Sequence, residues 1–201
     1  MKKLKSTLPN MILSLGIITI VSALILAWVY TITEDPIAKV AEEKQIEAIK
    51  SVLPSFTNNP LNDVAHVIPD GETRSLDVFP AYDGDTFVGA AVSSYSMDGF
   101  AGEINVIFGF DANGTISGYS VIQQAETPGL GTKMEEWFRS DVADRSVIGL
   151  NMATGNKLTV KKDGGTVDGI TAATISSRAF LGSLNRAFEA YMTYKSEHLN
   201  N

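Results

Sequence analysis

The sequence predicts an α+β protein: a single N-terminal transmembrane helix followed by a mostly antiparallel sheet domain with flanking helices. Three observations predict it. One apolar stretch has membrane-spanning length. A block of alternating apolar residues is joined to its neighbour by a tight turn. Helical apolar spacing returns near the end of the chain.

The first element is the clearest. No charged residue occurs from Ser6 to Thr33, and Met11 to Tyr30 reads MILSLGIITIVSALILAWVY, interrupted only by the small Ser14, Gly16, Thr19 and Ser22. Twenty helical residues rise about 30 Å, the thickness of a bilayer core. Trp28 and Tyr30 sit at one end, where amphipathic rings favour the headgroup region. Lys2, Lys3 and Lys5 precede the span, while Glu34 and Asp35 follow it. The positive-inside rule then puts the N-terminus in the cytoplasm and the rest outside. A cleaved signal peptide and a buried core helix are the competing readings. The length of the apolar run and the lack of a clear A-x-A site favour a retained anchor.

Asp35-Pro36 reads as a new N-cap and N1 pair. Ile37, Val40, Ala41, Ala48, Ile49, Val52 and Leu53 then follow at roughly helical spacing until Pro54. This predicts a separate juxtamembrane helix. Ser55 to Glu72 is rich in Asn, Pro and Asp and predicts irregular chain. Phe87 to Val92 predicts a strand. Ile104, Val106, Phe108 and Phe110 alternate as in a half-buried strand; Asp111 to Gly114 is its turn and Thr115 to Gln124 the return. A short strand is predicted over Lys157 to Lys161, after the Thr154-Gly155-Asn156 turn. Phe180, Leu184, Phe188 and Tyr191 predict an amphipathic helix from Ile175 to Lys195.

Composition excludes several kinds of function. All 23 acidic side chains but only 13 of the 16 basic ones follow Thr33, so that part carries a net charge of −10. Nucleic acid is a poor partner for such a surface, and anionic lipid would repel it. Cys is absent, which removes disulfides, thiolate metal sites and Cys nucleophiles. The two histidines, His66 and His198, stand apart from any motif. Asp111-x-Asn113-x-Thr115 starts like a calcium loop, but Ile116 stands where Gly is needed and Ile122 where Glu is needed. Gly129 to Lys133 has the wrong spacing for a phosphate loop, and no esterase G-x-S-x-G occurs.

Two segments remain. Glu126-Thr127-Pro128-Gly129-Leu130-Gly131 is either a surface turn or a Gly-lined loop whose backbone approaches a flat ligand. Asp168-Gly169-Ile170-Thr171-Ala172-Ala173-Thr174 runs into Ile175-Ser176-Ser177 and the last helix. Thr174, Ser176 and Ser177 either cap that helix or form an anion site with its unpaired amides.

In combination and in order, the two segments resemble the flavin-binding domain of the G subunit of Rnf ion-translocating electron-transport complexes. The domain is shared with the C subunit of sodium-translocating NADH:quinone oxidoreductase. The family pattern is an ETPGLG loop followed by D-x-x-[ST]-[GA]-A-T at a helix start. The Gly99-Phe100-Ala101-Gly102-Glu103-Ile104 segment and the N-terminal anchor are similar as well. The resemblance implies FMN held covalently as a phosphoester on Thr174, placed there from FAD by a flavin transferase. It implies Glu126, Thr127, Gly129, Leu130 and Gly131 near the ring, and Asp168, Thr171, Ala172 and Ala173 in the attachment motif. Ala172 stands where the family commonly has Gly. Lys161 and Lys162 either place a cation near reduced flavin or end a solvated strand.

The resulting expectation is a cytoplasmic N-terminus (1–10), a transmembrane helix (11–33), a juxtamembrane helix and linker (34–72) and an FMN-binding domain (73–201). Such a flavoprotein would sit in the inner (plasma) membrane with its domain extracytoplasmic, periplasmic in a two-membrane cell. It would relay electrons among other membrane subunits of a redox complex, with no complete reaction of its own. The Rnf type is favoured over the quinone-reductase type because the chain is short. The alternative is an anchored ligand-binding or sensory module without electron transfer.

Overall fold

The computed structural model describes residues 7–142, 144–155 and 157–199. Lys2, Lys3, Lys5 and Asn156 lie outside the described residues. The chain forms two compact units, Met1–Lys44 and Gln45–Asn201.

Helix α1 spans Leu8–Val52. Its apolar window is long enough to cross a membrane and none of it is buried in the protein. A core helix would be covered, so this exposure fits a membrane-anchoring segment. The separate juxtamembrane helix expected at Asp35-Pro36 is not formed. Pro36 lies inside one continuous helix. The proline ring fixes φ near the helical value, so it removes one backbone hydrogen bond without forcing the chain to stop. Nearby hydroxyls bond back to the helix, Thr31 Oγ1 to the Ala27 carbonyl and Thr33 Oγ1 to that of Val29, both at 2.9 Å.

In the second unit, five antiparallel strands form one meander in chain order: β1 Ala65–Val67, β2 Leu76–Asp83, β3 Thr86–Gly99, β4 Gly102–Asp111 and β5 Ile116–Gln123. Three of these depart from expectation. β3 runs on past Val92, where the strand was expected to end, to Gly99. β1 lies in the Ser55–Glu72 stretch read as irregular, and β2 carried no strand signal because Pro80 interrupts its apolar run. Conversely, Lys157 to Lys161 forms no strand: only an isolated bridge pairs Val160 with Val167, and Lys161–Asp163 is a 3-10 turn. Helix α2, Met134–Trp137, is a single turn, and α3 spans Thr174–His198.

One face of the sheet packs Val92, Val106, Phe108 and Phe110 against Phe180, Leu184, Ala187 and Tyr191 of α3. The other face is covered by the last turn of α1, where Ala48, Ile49 and Val52 meet Phe79, Ala91 and Ile107. β4 is therefore buried on both faces at its centre, not half-buried as its alternation implied. Gly109 permits this. A Cβ there would stand 2.0 Å from the Val52 carbonyl oxygen, a backbone atom that cannot rotate away. Gly109→Ala is expected to lower stability by about 2–3 kcal/mol through overpacking, read as a lower urea midpoint.

Tyr191 joins the core to the β4–β5 turn, its hydroxyl donating to the Asp111 carbonyl at 2.7 Å. Burial, helped by the Asp111 charge, pushes this phenol up to about 12. An unfolded tyrosine ionises near 10. Between these values the unfolded state loses a proton that the folded state keeps. Stability contributed by the buried phenol is thus present below pH 10 and falls as pH rises toward 12. Tyr191→Phe is expected to flatten that alkaline decline, measured as urea midpoint against pH.

Candidate functional site

The β3–β4 turn, the loop after β5 and the start of α3 enclose a cavity of about 310 Å³. Phe100, Glu126, Thr127, Leu130, Gly131, Ala172, Ala173, Thr174, Ile175 and Ser176 line it. The two segments singled out in the sequence, nearly forty residues apart, thus share one pocket. Its size lies at the lower end for small-ligand sites.

Glu126 holds the pocket together. Its residue is 4% exposed. Its carboxylate accepts the Ser176 hydroxyl at 2.6 Å and the Ala101 amide at 3.2 Å. One buried side chain therefore ties the loop to α3 and to the β3–β4 turn. This commits the carboxylate to the protein, so Glu126 frames the cavity as a strut and does not offer a free acid. Gly131 packs directly against this pair.

The start of α3 is not capped by its hydroxyls. Ala173 is the N-cap residue and no side chain caps it. Ser176 bonds Glu126 instead. Ser177 Oγ accepts the Ile170 amide at 2.8 Å and donates to the Ala173 carbonyl at 2.9 Å. The capping alternative is overturned because these hydroxyls stand in the third and fourth helical positions and turn inward. The half-buried Thr174 lines the cavity, and its hydroxyl has no protein partner among the described residues. An uncapped helix start beside a free hydroxyl is a suitable environment for a phosphoester: the amides and the dipole favour its charge.

The other motif residues support the site from outside. Asp168 pairs with Lys161 at 3.0 Å, and Lys161 also reaches Asp144 at 2.8 Å. Those hydrogen bonds, Asp144 first, raise the Lys161 ammonium above its ordinary value. Trp137 Nε1 donates to the Asp168 carbonyl at 2.8 Å. Asp168 and Lys161 thus anchor the segment leading to the pocket without lining it. Thr171 is exposed and lies off the cavity. Gly129 is also outside it, at φ +73°, with its amide on Thr132 Oγ1 at 3.0 Å. Lys162 lies outside as well. Phe100 and Ile175 are lining residues that sequence reasoning did not assign to the site, and Ser176, read there as a cap or part of an anion site, lines it as well. A bulky apolar residue within Gly99-Phe100-Ala101-Gly102 was the available signal for the first.

Ala172 adopts φ +62°. A non-glycine residue there carries roughly 1–2 kcal/mol of strain, which explains why Gly suits the position. Ala172→Gly removes that strain but gives the unfolded chain about 0.4–1 kcal/mol of extra entropy. The net expectation is a gain of roughly 0.5–1 kcal/mol, read as a higher urea midpoint.

Residues 99–189 match the FMN-binding domain family. The chain is 34% identical over 193 residues to the G subunit of the ion-translocating oxidoreductase complex of Cereibacter sphaeroides, covering 93% of this chain and 85% of that one. It is 31% identical over 198 residues to the corresponding G subunit of Vibrio vulnificus, covering 94% and 91%. Against the G subunit of Haemophilus influenzae it is 31% identical over 176 residues, covering 86% and 84%.

Proposed function

Because this chain belongs to the G-subunit family of ion-translocating oxidoreductase complexes, a family of flavin-binding redox subunits, we propose that it holds FMN covalently on Thr174 and relays electrons through it. The observation that carries this reading is the unpartnered Thr174 hydroxyl at the uncapped start of α3, inside the cavity that also contains the ETPGLG loop.

Thr174 Oγ attacks the phosphorus of the FMN half of FAD, in the active site of a flavin transferase. The Oγ–P bond forms, the pyrophosphate P–O bond breaks, AMP leaves and the hydroxyl proton passes to solvent. With FMN attached there, the unpaired first-turn amides of Thr174, Ile175 and Ser176 would hold the phosphodiester charge. Leu130, Thr127 and Gly131 bound the space beside it, while Glu126 keeps the loop and helix in register. Ala172 and Ala173 leave the backbone accessible at the attachment end. When bound, FMN supplies one- and two-electron transfer, chemistry that no side chain here provides. A covalent link prevents loss of the cofactor by dilution outside the cytoplasm.

The reading extends to topology. The apolar span anchors the protein, residues 1–10 lie in the cytoplasm and the FMN-binding domain (73–201) is extracytoplasmic, beside other subunits of the same complex. Reporter fusions after residue 40 are expected to be active only with a reporter that works outside the cytoplasm. Activity confined to a cytoplasmic reporter reverses the orientation.

The deciding experiment is peptide mapping of full-length protein produced together with a flavin transferase. An FMN phosphoester on the peptide containing Thr174 is the expected result. A colourless protein of unmodified mass returns the chain to the binding-module reading.

A further inference from the structure

Phe100 is 67% exposed, yet it is not on a loose loop. It and Ala101 form the two-residue connection between β3 and β4, closed by the Gly99–Gly102 pair. Turns of this length favour Gly, Asn and Asp, so turn chemistry does not call for a phenylalanine. The connection is locked from below. Ala101 donates its amide to the buried Glu126 carboxylate. A Cβ at Gly99 would stand 2.2 Å from the Gly102 carbonyl oxygen and 2.8 Å from Glu126 Oε1. The ring itself packs on no other aromatic ring among the described residues.

A rigid turn therefore holds an apolar ring out over a cavity. Leu130, 39% exposed, and Ile175, 47% exposed, line the same cavity. Polar and apolar requirements are divided within it: helix amides and the free Thr174 hydroxyl suit an anionic end, and the three apolar side chains suit a flat aromatic body. We propose that Phe100 is the stacking residue for the isoalloxazine ring of FMN, with Leu130 and Ile175 completing an apolar seat. The proposal rests on FMN occupying this cavity and deepens that reading. Phe100 shields one face of the ring from water, and the Glu126–Ala101 hydrogen bond fixes where the shield stands. Aromatic stacking adds binding beyond simple burial, and an ordered ring in an asymmetric seat acquires optical activity.

The test compares full-length wild type with Phe100→Ala and Phe100→Tyr, each produced with a flavin transferase. Covalent loading is read by flavin fluorescence in denaturing gels. Ring shielding is read by iodide quenching of flavin fluorescence and by visible circular dichroism. Phe100→Ala is expected to load flavin yet show a roughly threefold larger iodide quenching constant and a collapsed visible dichroism. Phe100→Tyr is expected to behave as wild type. Equal quenching and dichroism in wild type and Phe100→Ala overturn the proposal while leaving attachment intact. A second arm separates the two readings if wild type carries no covalent flavin. Unmodified full-length chain is titrated with free FMN, and Phe100→Ala is expected to weaken binding roughly three- to tenfold. Unchanged affinity, or no binding to either protein, overturns the proposal in that case.

Discussion

Thr174→Val is expected to give a folded protein that carries no covalent flavin, if Thr174 is the attachment residue proposed above. The substitution keeps the branched shape and removes only the nucleophilic oxygen. Its structural cost is small, because Thr174 does not cap α3 and its hydroxyl has no protein partner among the described residues. Val and Thr have similar helix propensities, so the stability change is within about 0.5 kcal/mol. The expected functional loss is complete by comparison: with no oxygen to bond phosphorus, in-gel flavin fluorescence is expected to fall to background. On the proposed reading, electron transfer through the protein is expected to disappear with it. Thr171→Val provides the contrast. Thr171 is exposed and outside the cavity, so loading close to the wild-type level is expected. Persistent fluorescence in Thr174→Val, or a flavin peptide mapping elsewhere, overturns the assignment.

The parts of this fold that follow from local pattern were legible in the sequence; those that follow from contact between distant residues were not. The β4–turn–β5 unit and α3 rest on period and turn chemistry, and both lie close to their expected bounds. Gly109 and Gly118 gave no local hint that β4 and β5 receive the end of α1, a contact spanning more than fifty residues. Pro36 misled because its helix-start signature is indistinguishable, by sequence alone, from a tolerated proline inside a longer helix. In the pocket, the motif residues were visible as chemistry but not as geometry. Asp168 is polar because it meets Lys161 from outside the cavity. Glu126 is a carboxylate because it must accept from Ala101 and Ser176 at once. Ser176 looked like a cap and is instead Glu126's donor. These roles depend on partners about 25 and 50 residues away, which no local spacing encodes.

Gly131→Val is the substitution expected to damage the pocket most, and comparison with Gly129→Val shows why. At Gly129 a Cβ meets nothing within 4 Å, but φ is +73°. Valine there incurs backbone strain of roughly 2 kcal/mol and leaves the cavity wall in place. At Gly131 a Cβ would stand 2.5 Å from Glu126 Oε2, 2.6 Å from Ser176 Oγ and 2.7 Å from Glu126 Cβ. The branched side chain can enter only by separating that pair. Overpacking costs about 1–3 kcal/mol. The buried carboxylate left without its hydroxyl donor costs a further 1–3 kcal/mol or so. Because Glu126 also holds the Ala101 turn, the disturbance reaches all three walls. The expected order of urea midpoints is wild type, then Gly129→Val, then Gly131→Val. Covalent flavin should remain substantial in Gly129→Val and be severely reduced in Gly131→Val when both are produced with a flavin transferase. Equal loading in the two variants means that the Glu126–Ser176 strut is dispensable and that the loop serves the site only as a turn.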